Sequence, residues 1–104
     1  MTLDISQKDM DLIVKIIRVF ADDCDVLAFG SRISGKAKSY SDLDLAFVRK
    51  NGEKLGFSRV GEIKFVFSAS NIPFIVDVID YNAASPEFKA IIDKQNISLW
   101  RAET

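Results

Sequence analysis

Two aspartates stand one residue apart at the head of an apolar run, Asp42-Leu43-Asp44-Leu45-Ala46-Phe47-Val48. Side chains at i and i+2 of a strand leave the same face, so the two carboxylates would sit side by side. Such a pair repels itself unless a cation lies between, and hard cations such as Mg²⁺ favour oxygen ligands. Ahead of the pair runs Gly30-Ser31-Arg32-Ile33-Ser34-Gly35-Lys36-Ala37-Lys38-Ser39-Tyr40-Ser41, with two glycines, four serines and three basic side chains. The glycines free the backbone to turn, and exposed N–H groups with Arg32 and Lys36 could hold an anion. The expected chemistry is a phosphate-binding loop beside a Mg²⁺-binding pair. Asp77, between Val76 and Val78, puts a further carboxylate in an apolar strand, where it is costly unless paired or bound to a cation. Alone, such a residue is more often a satisfied structural aspartate. With Asp42 and Asp44 it completes a three-carboxylate site, provided the two strands are neighbours. Asp80, on the opposite face of that strand, reads as an exposed cap.

The chain contains no histidine. That removes Ser-His-Asp and Cys-His nucleophiles, His-ligated zinc and a His general base. Catalysis is left to carboxylates, hydroxyls, basic side chains, the lone thiol or a metal. Residues 1–104, with 48% hydrophobic content, read as one packed domain. A net charge of −1 gives no support for wholesale binding of nucleic acid. The single cysteine, Cys24, cannot form an internal disulfide and fits a reducing cytoplasm. Neither a secretory leader nor a membrane-spanning run is seen.

These residues need strands and helices to position them. Ser6 with Asp9 reads as a helix N-cap, and Met10, Ile13, Val14, Ile17 and Phe20 recur at helical spacing, predicting a helix over 6 to about 22. A second stripe, Leu12, Ile16 and Val19, widens its apolar surface toward deep burial or a partner. Val26 to Phe29 reads as a short buried strand, 31 to about 38 as a short helix aimed at an anion, and Leu43 to Arg49 as the second strand. Residues 58 to 70 fit both periods; helix is favoured. Phe74 to Asp80 is the third strand, and Ser85-Pro86 opens a helix through about Lys94. Ile97 to Trp100 is expected to pack back as an apolar tail. The order α-β-α-β-α-β-α predicts an α/β domain.

Gly30-Ser31, then ten residues, then Asp42-Leu43-Asp44, resembles the Gly-Ser and Asp-x-Asp signature of the DNA polymerase β-like nucleotidyltransferase superfamily. The strand around Asp77 is similar to that superfamily's third-carboxylate strand. The whole Gly30 to Ala46 string resembles its small single-domain branch, the minimal nucleotidyltransferases, over roughly residues 6 to 100. The resemblance implies a small mixed sheet flanked by helices and transfer of AMP from ATP with release of pyrophosphate. It implies that Asp42 and Asp44 bind two Mg²⁺ ions, and that Asp77 ligates the ion nearest the acceptor and takes the acceptor's proton. It implies that Gly30 and Ser31 contact the β- and γ-phosphates, with Arg32 and Lys36 adding charge.

Larger members of the superfamily add a domain that holds the acceptor, and 104 residues leave no room for one. The resemblance therefore implies an acceptor on a separate protein. Minimal nucleotidyltransferases are typically encoded beside a HEPN toxin and act as its antitoxin, placing AMP on a toxin tyrosine, in the manner of a type VII system. A cytoplasmic hetero-oligomer with that toxin, without direct nucleic-acid or membrane binding, is the expectation. Two alternatives stand beside it: a non-catalytic antitoxin that neutralises its partner by occlusion, and a nucleotidyltransferase acting on RNA or a small molecule.

Overall fold

A computed structural model describes residues 3–38 and 40–102. Its elements are α1 (Gln7–Phe20), β1 (Cys24–Phe29), α2 (Ser31–Ser34), β2 (Leu43–Arg49), α3 (Phe57–Ser68), β3 (Val76–Asp80), a 3₁₀ turn (Tyr81–Ala83), α4 (Pro86–Lys94) and β4 (Ile97–Trp100). The four strands form one mixed sheet in the order β3-β2-β1-β4, with β2 and β3 parallel and the other neighbours antiparallel. The sheet exists because alternate residues have one place to go. Leu43, Leu45 and Phe47 are fully buried, with Val26 and Ala28 of β1 and Val78 of β3, against Ile13 and Ile17 of α1 and Ile63 and Phe67 of α3. At roughly 25 cal/mol per Å² of apolar surface, these side chains supply most of the drive to fold. The acidic positions between them are left on the other face.

The helix starts follow the predicted chemistry. Ser6 accepts a hydrogen bond from the Asp9 N–H at 3.2 Å, and Ser85 one from Phe88 N–H at 3.2 Å with Pro86 at the first helical position. Asp23 takes both nitrogens of Arg59, at 2.6 and 2.7 Å, and Arg59 also reaches the Phe20 carbonyl. That fork ties α3 to the turn after α1.

Four expectations are corrected. Ile97 to Trp100 packs back as expected, but as an edge strand paired with β1 rather than an irregular tail. α2 is a single turn that ends at Ser34, because Gly35 adopts the left-handed conformation at φ 81°. β1 begins at Cys24, and β3 only at Val76, after Pro73. In the second stripe of α1, Ile16 is buried and Leu12 packs on the core, so Val19 alone, 62% exposed, is left for a partner. Among the described residues no helix is long and apolar enough to cross a membrane.

Candidate active site

The parallel pairing of β2 with β3 sets Asp44 directly opposite Asp77. On the other side of β2, Phe29 of β1 is opposite Asp44, so the chain leaves β1 and enters Gly30 beside that carboxylate. Three strands thus deliver the glycine loop and two aspartates to one end of the sheet. Gly30 has φ 85° and ψ −155°, a region essentially restricted to glycine. A Cβ there would collide with Oδ2 of Asp44. The glycine is needed twice, for its conformation and for the space it leaves to the carboxylate.

Asp44 is pushed up from 3.8 to about 6, first by burial, then by the charges of Asp77 and Asp42, and by a hydrogen bond with Asp77. The stress on this group is the one a divalent cation would relieve, and hard carboxylate oxygens suit Mg²⁺. The residues present therefore fit such an ion. Asp42 lies just outside β2, exposed, and reaches Asp44 through its field rather than by contact. Among the described residues no three metal-ligating side chains are gathered into a closed cluster. The Asp44–Asp77 pair is built into the sheet, and Asp42 sits at its rim.

The loop residues divide. Ser31 is half-buried at the first position of α2, where Gly30 offers no side chain to cap the turn. Lys36 is exposed beyond it. Arg32, expected among the anion contacts, is turned inward and only 6% exposed. Its Nε and Nη2 donate to the Ser41 carbonyl at 3.0 and 2.8 Å, and its Nη1 to the Asp4 carbonyl at 2.9 Å. Its guanidinium lies 4.1 Å from the centre of the Phe74 ring. Arg32 thus pins the loop's two ends and the N-terminal segment together. The Ser41 hydroxyl caps the turn, accepting from Lys38 N–H at 2.9 Å. Ser39 lies outside the described residues.

Asp80 is corrected from exposed cap to internal anchor. Its two oxygens accept from Leu55 N–H and Gly56 N–H, both at 3.0 Å, and so fix the start of α3. Cys24 is no nucleophile, since burial, reinforced by the Asp23 charge, pushes its thiol up to about 12. Two features had no signal in the sequence. Phe74 read as strand, yet it is the platform under Arg32. A groove of about 590 Å³, lined by Lys64, Phe67, Ser68, Ile72, Pro73, Phe74, Ile75, Val76 and Asp77, reaches one member of the pair, Asp77.

A glycine loop at the end of one strand thus stands against opposed carboxylates on the next two. The polymerase beta nucleotidyltransferase family matches residues 13–104, and the chain belongs to that family. It is 39% identical to the probable protein adenylyltransferase MntA of Haemophilus influenzae over 101 residues, 97% of this chain and 87% of the relative. A toxin–antitoxin crystal structure with AMP-PNP superposes at TM-score 0.75 and 24% identity, covering 90% of this chain and 74% of that one. A Shewanella oneidensis MNT antitoxin in complex with a tri-AMPylated HEPN toxin matches at TM-score 0.67 and 25% identity, over 90% of this chain and 71% of that one.

Proposed function

We propose that this chain is a protein adenylyltransferase, a single minimal nucleotidyltransferase domain that moves AMP from ATP to a tyrosine hydroxyl of a HEPN-family toxin and so acts as its antitoxin. The observation that carries the reading is Asp44 opposite Asp77, with Gly30 backed against Asp44. The 39% identity to a probable protein adenylyltransferase supports the acceptor class. Asp42, Asp44 and Asp77 would hold Mg²⁺, as two ions. Bound there, Mg²⁺ neutralises phosphate charge and makes the acceptor hydroxyl more acidic.

The chain's own residues do the rest. Gly30 and Ser31 hold the β- and γ-phosphates through backbone N–H and hydroxyl groups, and Lys36 adds charge from the rim. Arg32 keeps the loop in shape. The acceptor oxygen bonds to the α-phosphorus as the bond to the β-phosphate oxygen breaks, and pyrophosphate leaves. Asp77 receives the acceptor's proton. A cytoplasmic setting supplies both ATP and Mg²⁺.

Mass spectrometry of the cognate HEPN-family protein after incubation with the chain, ATP and MgCl₂ tests this. Whole AMP masses on a tyrosine are expected, and none with Asp44→Asn. An unmodified partner that is nevertheless neutralised would favour occlusion and sink the catalytic reading.

A further inference from the structure

The sheet ends at β3, and among the described residues no strand lies beyond it. Leu43 is in register with Val76, and its N–H donates to the Ile75 carbonyl at 2.8 Å. In a parallel ladder a residue bonds the two neighbours of its register partner, so Ile75 and Asp77 spend their backbone groups on β2. Val76 and Val78 then turn theirs outward, while their side chains point into the core. α3 runs antiparallel to β3, and two hollows follow the seam between them. One, about 250 Å³, is lined by Lys54, Gly56, Phe57, Val60, Asp80 and Ala83. The other is the 590 Å³ groove that ends at Asp77. Large apolar side chains line the way: Phe57 is 99% exposed and Ile75 66%.

We propose that the open edge of β3, with the groove between it and α3, is the docking track for the acceptor protein, which lays an extended segment along Val76–Val78 and brings its hydroxyl to Asp77. The proposal rests on the adenylyl-transfer reading above. An extended segment is favoured because outward N–H and C=O groups on an edge strand need backbone partners, which a helix lacks. The apolar side chains of the seam provide pockets for alternate residues of that segment. Charge selects the occupant further. Val76–Asp80 carries two carboxylates and no basic side chain, so a second copy of this chain would set acidic strand against acidic strand. The segment that fits is neutral or basic and ends its path at the proton-accepting carboxylate.

Two groove variants test this, Ser68→Trp to fill the hollow and Ile75→Arg to charge its wall, with Ile91→Arg on the exposed face of α4 as a surface control. Thermal melts establish that each variant folds. Binding of Mg²⁺·AMP-PNP, KM and kcat toward the HEPN-family protein, and amide hydrogen exchange of β3 with and without that protein are then measured. Both groove variants are expected to raise the acceptor KM by about tenfold or more at nearly unchanged kcat, the mark of lost uniform binding. Nucleotide affinity and the control should not move, and the Val76 and Val78 amides should exchange more slowly in the complex. Unchanged KM in both variants, or amides equally fast in the complex, overturns the proposal. So does a parallel fall in nucleotide affinity, which would give the groove to the nucleotide, or protection that depends on this chain's own concentration, which would give it to a second copy. If the wild-type chain transfers no AMP, the functional reading fails, and the exchange data alone decide the groove: slowed Val76 and Val78 amides uphold docking there, and unchanged ones refute it.

Discussion

Gly30→Ala separates the two demands placed on that position. At φ 85° and ψ −155° an alanine is in a region that costs of order 1–3 kcal/mol. Its methyl group must also displace Oδ2 of Asp44, because the added carbon would overlap that atom. A forced side-chain rotation adds about 1 kcal/mol, for a total of about 2–4 kcal/mol. In a domain of this size each kcal/mol is worth roughly 4–8 °C in Tm, so the variant should melt about 8–32 °C lower. Asp44→Ala removes the atom that is struck but leaves the backbone strain. In a double-mutant cycle the pair should therefore be less destabilised than the sum of the singles, by about 1 kcal/mol. Differential scanning calorimetry on the four proteins measures this, with AMP transfer followed in parallel. Transfer by Gly30→Ala should fall even well below its melting point, since the displaced carboxylate is one of the pair. Additive melts would refute the contact, and an alanine variant with wild-type Tm and activity would refute the whole account of Gly30.

Two further outcomes follow. Because the folded-state value of Asp44 is raised to about 6, its ionisation costs stability that is absent below about pH 4 and fully felt above about pH 6. Discounted for a carboxyl only half out of solvent, the cost is about 1–2 kcal/mol. Asp44→Asn should thus melt higher than wild type at pH 8 in EDTA and match it at pH 4, while MgCl₂ should stabilise the wild type alone; a pH-independent difference in Tm would contradict this. Arg32→Lys keeps the positive charge but cannot bridge the Ser41 and Asp4 carbonyls together, so about 2 kcal/mol should be lost. An unchanged melting point would return Arg32 to the phosphate side of the site.

What could be read from the sequence was whatever a local pattern encodes. β2 runs from Leu43 to Arg49 as expected, because Leu43, Leu45 and Phe47 share one buried face and Asn51-Gly52 closes the strand. The caps at Ser6 and Ser85 were legible because a cap is a contact three residues long. Asp77 could be singled out from its apolar neighbours, but that it faces Asp44 depends on which strands become neighbours, and no local period records that. The same limit hid β4. Its four residues are at best half-buried, so they carry no alternation, and only pairing with β1 makes them a strand. Arg32 misled for a chemical reason. A guanidinium beside a glycine loop suits phosphate and carbonyl oxygens alike, and the choice was made by Asp4 and Phe74, both distant in the chain. The end of α2 depended on a left-handed Gly35, when glycine tolerates either hand.

The seat of β4 sets the timetable of synthesis. β1 lies inside the sheet, yet one of its two flanks is filled only by Ile97–Trp100. A nascent chain can assemble α1, β1, β2, α3 and β3 and still expose an unpaired side of its central strand until those four residues leave the ribosome. Folding is then completed after translation of nearly the whole domain, by a non-local closure of the slow kind. The single tryptophan is in that strand, its indole N–H 3.4 Å from the Asp22 carbonyl at the far end of the first turn. Its fluorescence reports the closing step.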